Sequence, residues 1–254
     1  MNNFIINDIP VSIPENRLEI VHAFDECLEK KEKIYISFIN PEIYMCQEKN
    51  VYLKRYLQQS KYNFVDGVGL LYIINRGSKY RYKPKDRYIG TDFFTFLPKD
   101  RNIRLFLFGA RKGNLLLAVK NISCQYKNIQ IVGAVDGFTA FSDETIVEMI
   151  NIACADIVIV CLGCPKQELW IKKNINKINT KIIFGNGGSI DNWSYIVKRA
   201  PEFIRNIGFE WFYRLLQDRN FTRLKRQIKL TSFFIKILLG RYKVISIQNK
   251  YGVG

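Results

Sequence analysis

Short, nearly continuous apolar runs punctuate the chain, and stretches of helical periodicity lie between them. The runs KIYISFI (33–39), NFV (63–65), IRLFLFG (103–109), IQIVGAV (129–135), DIVIVCLG (156–163) and KIIFGNG (181–187) predict strands. The segments PENRLEIVHAFDECLEKKE (14–32), PEIYMCQEKNVYLKRYLQQ (41–59), KGNLLLAVKNISCQY (112–126) and SDETIVEMINIAC (142–154) predict helices. Pro14, Pro41 and Pro165 suit first-turn positions, and Ser142 with Thr145 makes a good helix start. Strands that are apolar throughout, rather than alternating, are buried on both faces, which predicts a parallel sheet covered by helices. The expected fold is a Rossmann-like α/β domain over residues 1–197, with its ligand at the carboxyl ends of the strands.

Beyond residue 197 the pattern changes to helices only. Trp211/Leu215, Phe212/Leu216, Leu224/Ile228 and Ile235/Leu239 are apolar pairs four residues apart, interleaved with Arg and Lys. Residues 198–254 therefore read as a basic amphipathic appendage. Such helices suit a membrane surface, and equally suit packing on the core or on a partner chain, a second copy included.

Charge sharpens this picture. Of a net +16, the stretch Lys198–Lys250 carries 13 Lys and Arg against 3 Asp and Glu, and RGSKYRYKPKDR (76–87) carries six against one. Basic clusters of this kind attract phosphates, whether of nucleic acid, anionic lipid or a diphosphate substrate; the plainer alternative is a basic surface that aids solubility. No window offers the roughly 18 uncharged apolar residues of a membrane span, and the N-terminus lacks a basic region followed by an apolar one. The expected location is the cytoplasm. The six cysteines (27, 46, 124, 154, 161, 164) are expected to be reduced thiols packed as small hydrophobes.

Cys161 and Cys164 form a CxxC, but a zinc site needs further ligands, and the single histidine, His22, lies far away in sequence. Gly163 and Pro165 make the pair a turn between a buried strand and a helix, so the cysteines read as structural. The residues after them are more informative. Lys166, Gln167 and Glu168 open a helix at a strand end, where free backbone N–H groups favour phosphate and Gln167 offers both donor and acceptor; a plain helix start tolerates the same residues. GNGGSIDNW (185–193) permits close backbone approach at Gly187 and Gly188, and Asp191 can accept hydrogen bonds from a ribose diol. VDGF (135–138) sets Phe138 beside Gly137, where the ring can stack on a base. Asp66, in FVDGVG, ends another strand and is the leading general-base candidate, the alternative being an Asp that caps a turn. LFGARKGN (107–114) is a glycine turn without GxGxxG, so the dinucleotide fingerprint is absent. No Asp-x-Asp occurs, which argues against a metal-chelating carboxylate pair. The competing classes are an NAD-dependent enzyme, disfavoured by the missing fingerprint, and a nucleic-acid-binding protein, disfavoured because the basic residues gather on an amphipathic tail.

Taken in order, NPE (40–42), DGVG (66–69), RYIGTD (87–92), LFGARKG (107–113), VDGF (135–138), LGCPKQE (162–168), GNGGSIDNW (185–193) and KRAPEFIRNIGFEWFYRLLQD (198–218) resemble the WecG/TagA/CpsF family of bacterial glycosyltransferases. The resemblance implies an inverting, metal-independent transfer from a UDP-sugar to a polyprenyl-diphosphate-linked sugar, with no cofactor, on the inner face of the cell membrane. It implies Asp66 as base with Asn40 beside it, Arg87 and Gln167 lining the pocket, and Gly163, Gly187 and Gly188 close to the donor. Asp191 is then implied at the ribose and Phe138 on uracil, with Arg214, Arg223 and Arg226 at the acceptor diphosphate. The partners implied are the two substrates and an anionic membrane surface, not nucleic acid. Phe38 stands where the family usually has Thr, and Arg219 where the tail usually has Pro.

Overall fold

A computed structural model describes residues 1–30, 33–197, 199–216 and 222–247 of the chain. Among them are the strands β1 (Asn2–Ile6), β2 (Ile9–Ile13), β3 (Ile34–Ile39), β4 (Tyr62–Val65), β5 (Ile103–Gly109), β6 (Ile129–Val135), β7 (Ile157–Cys161), β8 (Ile182–Gly185) and β9 (Val244–Ile247). The helices are α1 (Arg17–Glu29), α2 (Pro41–Gln47), α3 (Val51–Gln59), α4 (Val68–Gly77), α5 (Lys112–Gln125), α6 (Asp143–Ile152), α7 (Lys166–Asn174), α8 (Ser189–Trp193), α9 (Glu202–Asn206), α10 (Glu210–Leu216) and α11 (Thr222–Leu238). The strands form one sheet in the order β6-β5-β7-β8-β3-β4-β2-β1-β9. All pairings from β6 to β2 are parallel, and β1 runs antiparallel to both β2 and β9. This is the expected α/β sheet with helices on both faces.

The alternation of side chains along each strand divides two cores. Phe106 and Phe108 of β5 and Val158 and Val160 of β7 join Trp170 and Ile171 of α7 on one face. Leu105, Leu107, Ile157 and Ile159 join Leu115, Ala118 and Ile122 of α5 on the other. Helices α5 and α7 therefore leave neighbouring strands toward opposite faces. The chain also moves apart there, from β5 to β6 on one side and from β7 to β8 on the other. Such a divergence opens a crevice at the strand ends.

Several sequence expectations need correction. The run 41–59 is two helices: Glu48–Asn50 interrupt it, and the Asn50 side chain caps α3 by accepting from Tyr52 N (3.0 Å) and Leu53 N (3.1 Å). Pro14 precedes the N-cap Asn16 rather than lying in the first turn, and Pro165 is itself an N-cap. The N-terminal hairpin was not anticipated. Asn7 and Asp8 adopt φ 41° and 72°, the left-handed pair that closes a two-residue hairpin loop. Phe4, Ile6, Ile9, Val11 and Ile13 are buried along it. Nor is the tail helical throughout: β9 pairs with β1, and Phe233 and Ile237 of α11 are buried in the first core. Of the cysteines, Cys27 and Cys161 pack as hydrophobes, whereas Cys124 and Cys154 are exposed. Among the described residues no helix is long and apolar enough to cross a membrane.

Candidate active site

Two clefts open at the carboxyl ends of the strands, and they meet. The larger, about 800 Å³, runs from Phe138 and Phe141 past the ends of β5, β7 and β8 to Asn40 and Asp66. Its volume lies within the range of small-molecule sites. The smaller, about 270 Å³, is bounded by Arg87, Thr91, Glu210 and the apolar Leu230 and Phe234 of α11. Asn40, Glu42, Asp66, Asn186 and Gly187 line both.

The junction is built from strand ends tied together. Asp66 follows β4, and its backbone N–H donates to the carbonyl of Ile39 at the end of β3 (2.9 Å). Its carboxylate Oδ2 accepts from Gly90 N at 3.3 Å. Asn186, following β8, donates through Nδ2 to Gly90 O (2.8 Å) and accepts at Oδ1 from Ser189 Oγ (2.7 Å). Asn40 caps α2, its Oδ1 accepting from Ile43 N at 3.0 Å. A Cβ on Gly67 would stand 2.3 Å from Pro41 Cδ, so only glycine lets the starts of α2 and α4 approach this closely. Phe38 is buried against Phe64 and Phe184, with ring centroids 5.7 and 5.6 Å away, and forms part of the floor. It is an apolar floor, with no hydroxyl to offer a ligand.

Gln167 is 2 % exposed and lies beneath the cleft. Its Oε1 accepts from Gly163 N (3.1 Å) and its Nε2 donates to Glu168 Oε1 (2.7 Å). A Cβ on Gly185 would meet Gln167 Nε2 at 2.6 Å, and one on Gly187 would meet Gln167 Oε1 at 2.8 Å. Of the glycines that the sequence suggested for ligand approach, Gly187 is thus also required by this amide, whereas a Cβ on Gly188 would stand in open space. Glu168 is 1 % exposed, and its Oε2 has no hydrogen-bond partner. Loss of solvent pushes its carboxyl up to about 7, the charge of Glu42 adds to this, and the bond from Gln167 opposes it.

Asp191, on α8, reaches across to α5, where Asn114 Nδ2 donates to its Oδ1 at 2.6 Å. Phe138 is 77 % exposed at the far rim, where its backbone N–H donates to Asp136 Oδ1 (2.9 Å). Phe141 lies exposed in the same cleft. Gly137, Gly163, Gly187 and Gly188 all line it. Arg87 lies in the smaller cleft instead: its Nη1 donates to the carbonyls of Pro84 (2.6 Å) and Arg205 (3.0 Å), and its Nη2 is 3.6 Å from Glu210 Oε2. It joins the C-terminal helices to the body. Arg214 belongs to α10 and Arg223 and Arg226 to α11, and the side chains of all three lie outside the described residues.

Sequence reasoning missed Glu42, Asn186, Asn114 and Glu210. The first two stood inside the motifs NPE and GNGGSIDNW, at strand ends like the residues that were chosen. Glu210 stood inside the quoted KRAPEFIRNIGFEWFYRLLQD, but it reaches the site only through the packing of the tail.

The site is thus a cleft at the switch point of a parallel α/β sheet, joined at a carboxylate to a second, smaller cleft. The family model described as "Glycosyl transferase WecG/TagA/CpsF family" matches residues 6–245. The chain belongs to that family of glycosyltransferases. It is 34 % identical over 215 residues, 83 % of this chain and 81 % of the relative, to an N-acetylglucosaminyldiphosphoundecaprenol N-acetyl-beta-D-mannosaminyltransferase of Bacillus subtilis (strain 168). A protein of the same name from Bacillus spizizenii (strain ATCC 23059 / NRRL B-14472 / W23) is 29 % identical over 238 residues, covering 89 % of this chain and 90 % of the relative.

Proposed function

We propose that the protein is an inverting, metal-independent glycosyltransferase that moves a sugar from a UDP-sugar to a hydroxyl of a polyprenyl-diphosphate-linked sugar, with Asp66 as general base. The observation that carries this reading is the junction: two clefts of different character share Asp66, Asn40 and Glu42. The larger cleft takes the donor, with Phe138 stacked on uracil, Asp191 on the ribose and the glycines of the β7 and β8 ends beside the sugar. Gln167 acts from below, holding Gly163, Gly185 and Gly187 in place. The smaller cleft takes the acceptor sugar between Arg87, Thr91 and Glu210.

The step follows from that placement. The acceptor oxygen attacks the anomeric carbon as the bond to the donor diphosphate breaks, and the hydroxyl proton passes to Asp66. Donor and acceptor enter from different clefts, so attack comes from the face opposite the leaving group, and the centre inverts. A positioned carboxylate accelerates such a transfer by about 10²–10⁴-fold.

The acceptor's lipid continues along α9–α11. Phe203, Ile207, Phe209, Leu216, Phe234 and Leu238 are exposed there, and the segment is strongly basic, which suits contact with an anionic membrane surface at its cytoplasmic side. Residues 198–254 then act as the part that binds membrane and acceptor, and Arg214, Arg223 and Arg226 are the cations assigned to the acceptor diphosphate.

The names of the two relatives make N-acetylmannosamine and an N-acetylglucosaminyl-diphospho-polyprenol the first pair to test. Purified protein is incubated with a short-chain acceptor and a panel of UDP-sugars, with and without EDTA, and products are weighed by mass spectrometry. A mass gain with one donor, unchanged by EDTA, is the expected result. No gain together with no binding of UDP would overturn the assignment.

A further inference from the structure

In the cleft that takes the donor, carboxylates outnumber basic side chains. Glu42, Asp66 and Asp191 supply negative charge along it, as does Asp143, which Lys173 pairs at 2.6 Å. A diphosphate beside these is stabilised by cations, and among the described residues Arg111 and Lys166 are the two basic side chains in the lining. Neither has an ion-pair or hydrogen-bond partner for its side chain among the described residues. Arg87, by contrast, is occupied by Glu210 and two carbonyls.

Their location is as informative as their charge. Arg111 follows β5 and Lys166 follows β7, the neighbouring strands at which the chain diverges to opposite faces. The two strand ends are locked together: Gly109 pairs with Cys161, and Ala110 N donates to Cys161 O at 3.2 Å. A Cβ on Gly109 would come 2.4 Å from the Cys161 carbonyl, so only glycine lets these two strand ends lie this close, and Gly163 leaves the backbone open beside Lys166.

Sheet order then lays the donor out. Phe138 stands beyond β6, Arg111 beyond β5, Lys166 beyond β7, Gly187 beyond β8, Asn40 beyond β3 and Asp66 beyond β4. Neighbouring strands lie about 4.8 Å apart, so β6 to β8 spans roughly 14 Å, the scale of a nucleoside diphosphate. The diphosphate falls between the base platform and the carboxylate junction, over β5 and β7.

We propose that Arg111 and Lys166 hold the donor's diphosphate from the two sides of the crevice between β5 and β7. This rests on the nucleotide-sugar reading of the larger cleft. During transfer they are the charges that meet the leaving UDP, where positive groups fixed beforehand stabilise developing charge.

The test is calorimetric titration of the full chain with UDP, uridine and inorganic pyrophosphate, for wild type, Arg111→Gln, Lys166→Gln and the charge-conserving Arg111→Lys and Lys166→Arg. Each Gln variant is expected to bind UDP at least tenfold more weakly, about 1.4 kcal/mol, while uridine affinity stays within threefold and the charge-conserving variants recover most of the loss. Unchanged UDP affinity in both Gln variants overturns the proposal, and so does an equal loss for uridine. If wild type binds pyrophosphate but not UDP, and the Gln variants lose that binding, the diphosphate site stands and the nucleotide reading falls. If wild type binds neither, both fall.

Discussion

Glu168 offers a prediction whose size can be worked out before the experiment. The residue is almost fully buried, and one carboxylate oxygen has no partner. Burial raises its carboxyl from 4.5 to about 7, helped by the charge of Glu42 and opposed by the bonds from Gln167 and Cys164. The folded protein therefore holds this proton more tightly than the unfolded chain does. Its contribution to stability is fully present below about pH 4.5 and is lost as pH rises through about 7. The difference between those two values corresponds to about 3 kcal/mol. Glu168→Gln removes the titration and keeps an oxygen for the bond from Gln167 Nε2. Wild type and variant should thus show a stability difference that moves in favour of the variant by about 3 kcal/mol between pH 4.5 and pH 8.5. For a chain of this size that amounts to roughly 6–12 °C in Tm. Thermal melts of both proteins across that range provide the comparison, and the difference between them cancels every other titrating group. Melting curves that stay parallel from pH 4.5 to pH 8.5 would refute the reasoning.

Phe138→Ala should raise KM for the donor about tenfold with little change in stability, because the ring is largely exposed and the proposed role for it is stacking on the base; a steady-state titration of donor reads this, and an unchanged KM would contradict it. Gly187→Ala sets a Cβ 2.8 Å from Gln167 Oε1 and 2.9 Å from Gly163 Cα, and since backbone cannot swing aside, about 1–3 kcal/mol of stability should be lost together with donor affinity. Urea unfolding and UDP titration of the same sample test both halves. Arg87→Met takes the guanidinium away from the buried Glu210 carboxylate and should cost about 3 kcal/mol, with Glu210→Met added to it restoring part of the loss; a double variant no more stable than Arg87→Met would show that the pair is not coupled.

Much of this was legible in the chain because the catalytic part of the sheet is local in sequence. Each of the six parallel strands β3 to β8 is a short apolar run, and Asn40, Asp66, Phe138, Gln167 and Asp191 each stand one to six positions beyond one. Parallel topology brings those positions to one edge without further information. Asp66, Phe138, Gln167 and Asp191 were found in this way. The edge of the sheet escaped notice for the opposite reason. Strand β1 finds partners both in the adjacent β2 and in β9, more than two hundred residues away, and no periodicity within either end announces that pairing. The reading of Gln167 as a ligand contact passed over its neighbours: only the fold reveals that Gly163, Gly185 and Gly187 close around its amide and that Glu168 stands behind it. Glu210 could not be found from spacing, since it comes to Arg87 across 123 positions through the folding of the tail.

The central claim is that the proton of the acceptor hydroxyl goes to Asp66 at the meeting of the two clefts. Asp66→Asn keeps an oxygen for the bond from Gly90 N while removing the basicity and the negative charge. The decisive measurement is the transfer rate of this variant at saturating donor and acceptor, beside its affinity for UDP. The account predicts a rate lower by about 10²–10⁴-fold, with UDP affinity within a few-fold of wild type. Transfer within threefold of the wild-type rate would contradict it and remove Asp66 from the role of base.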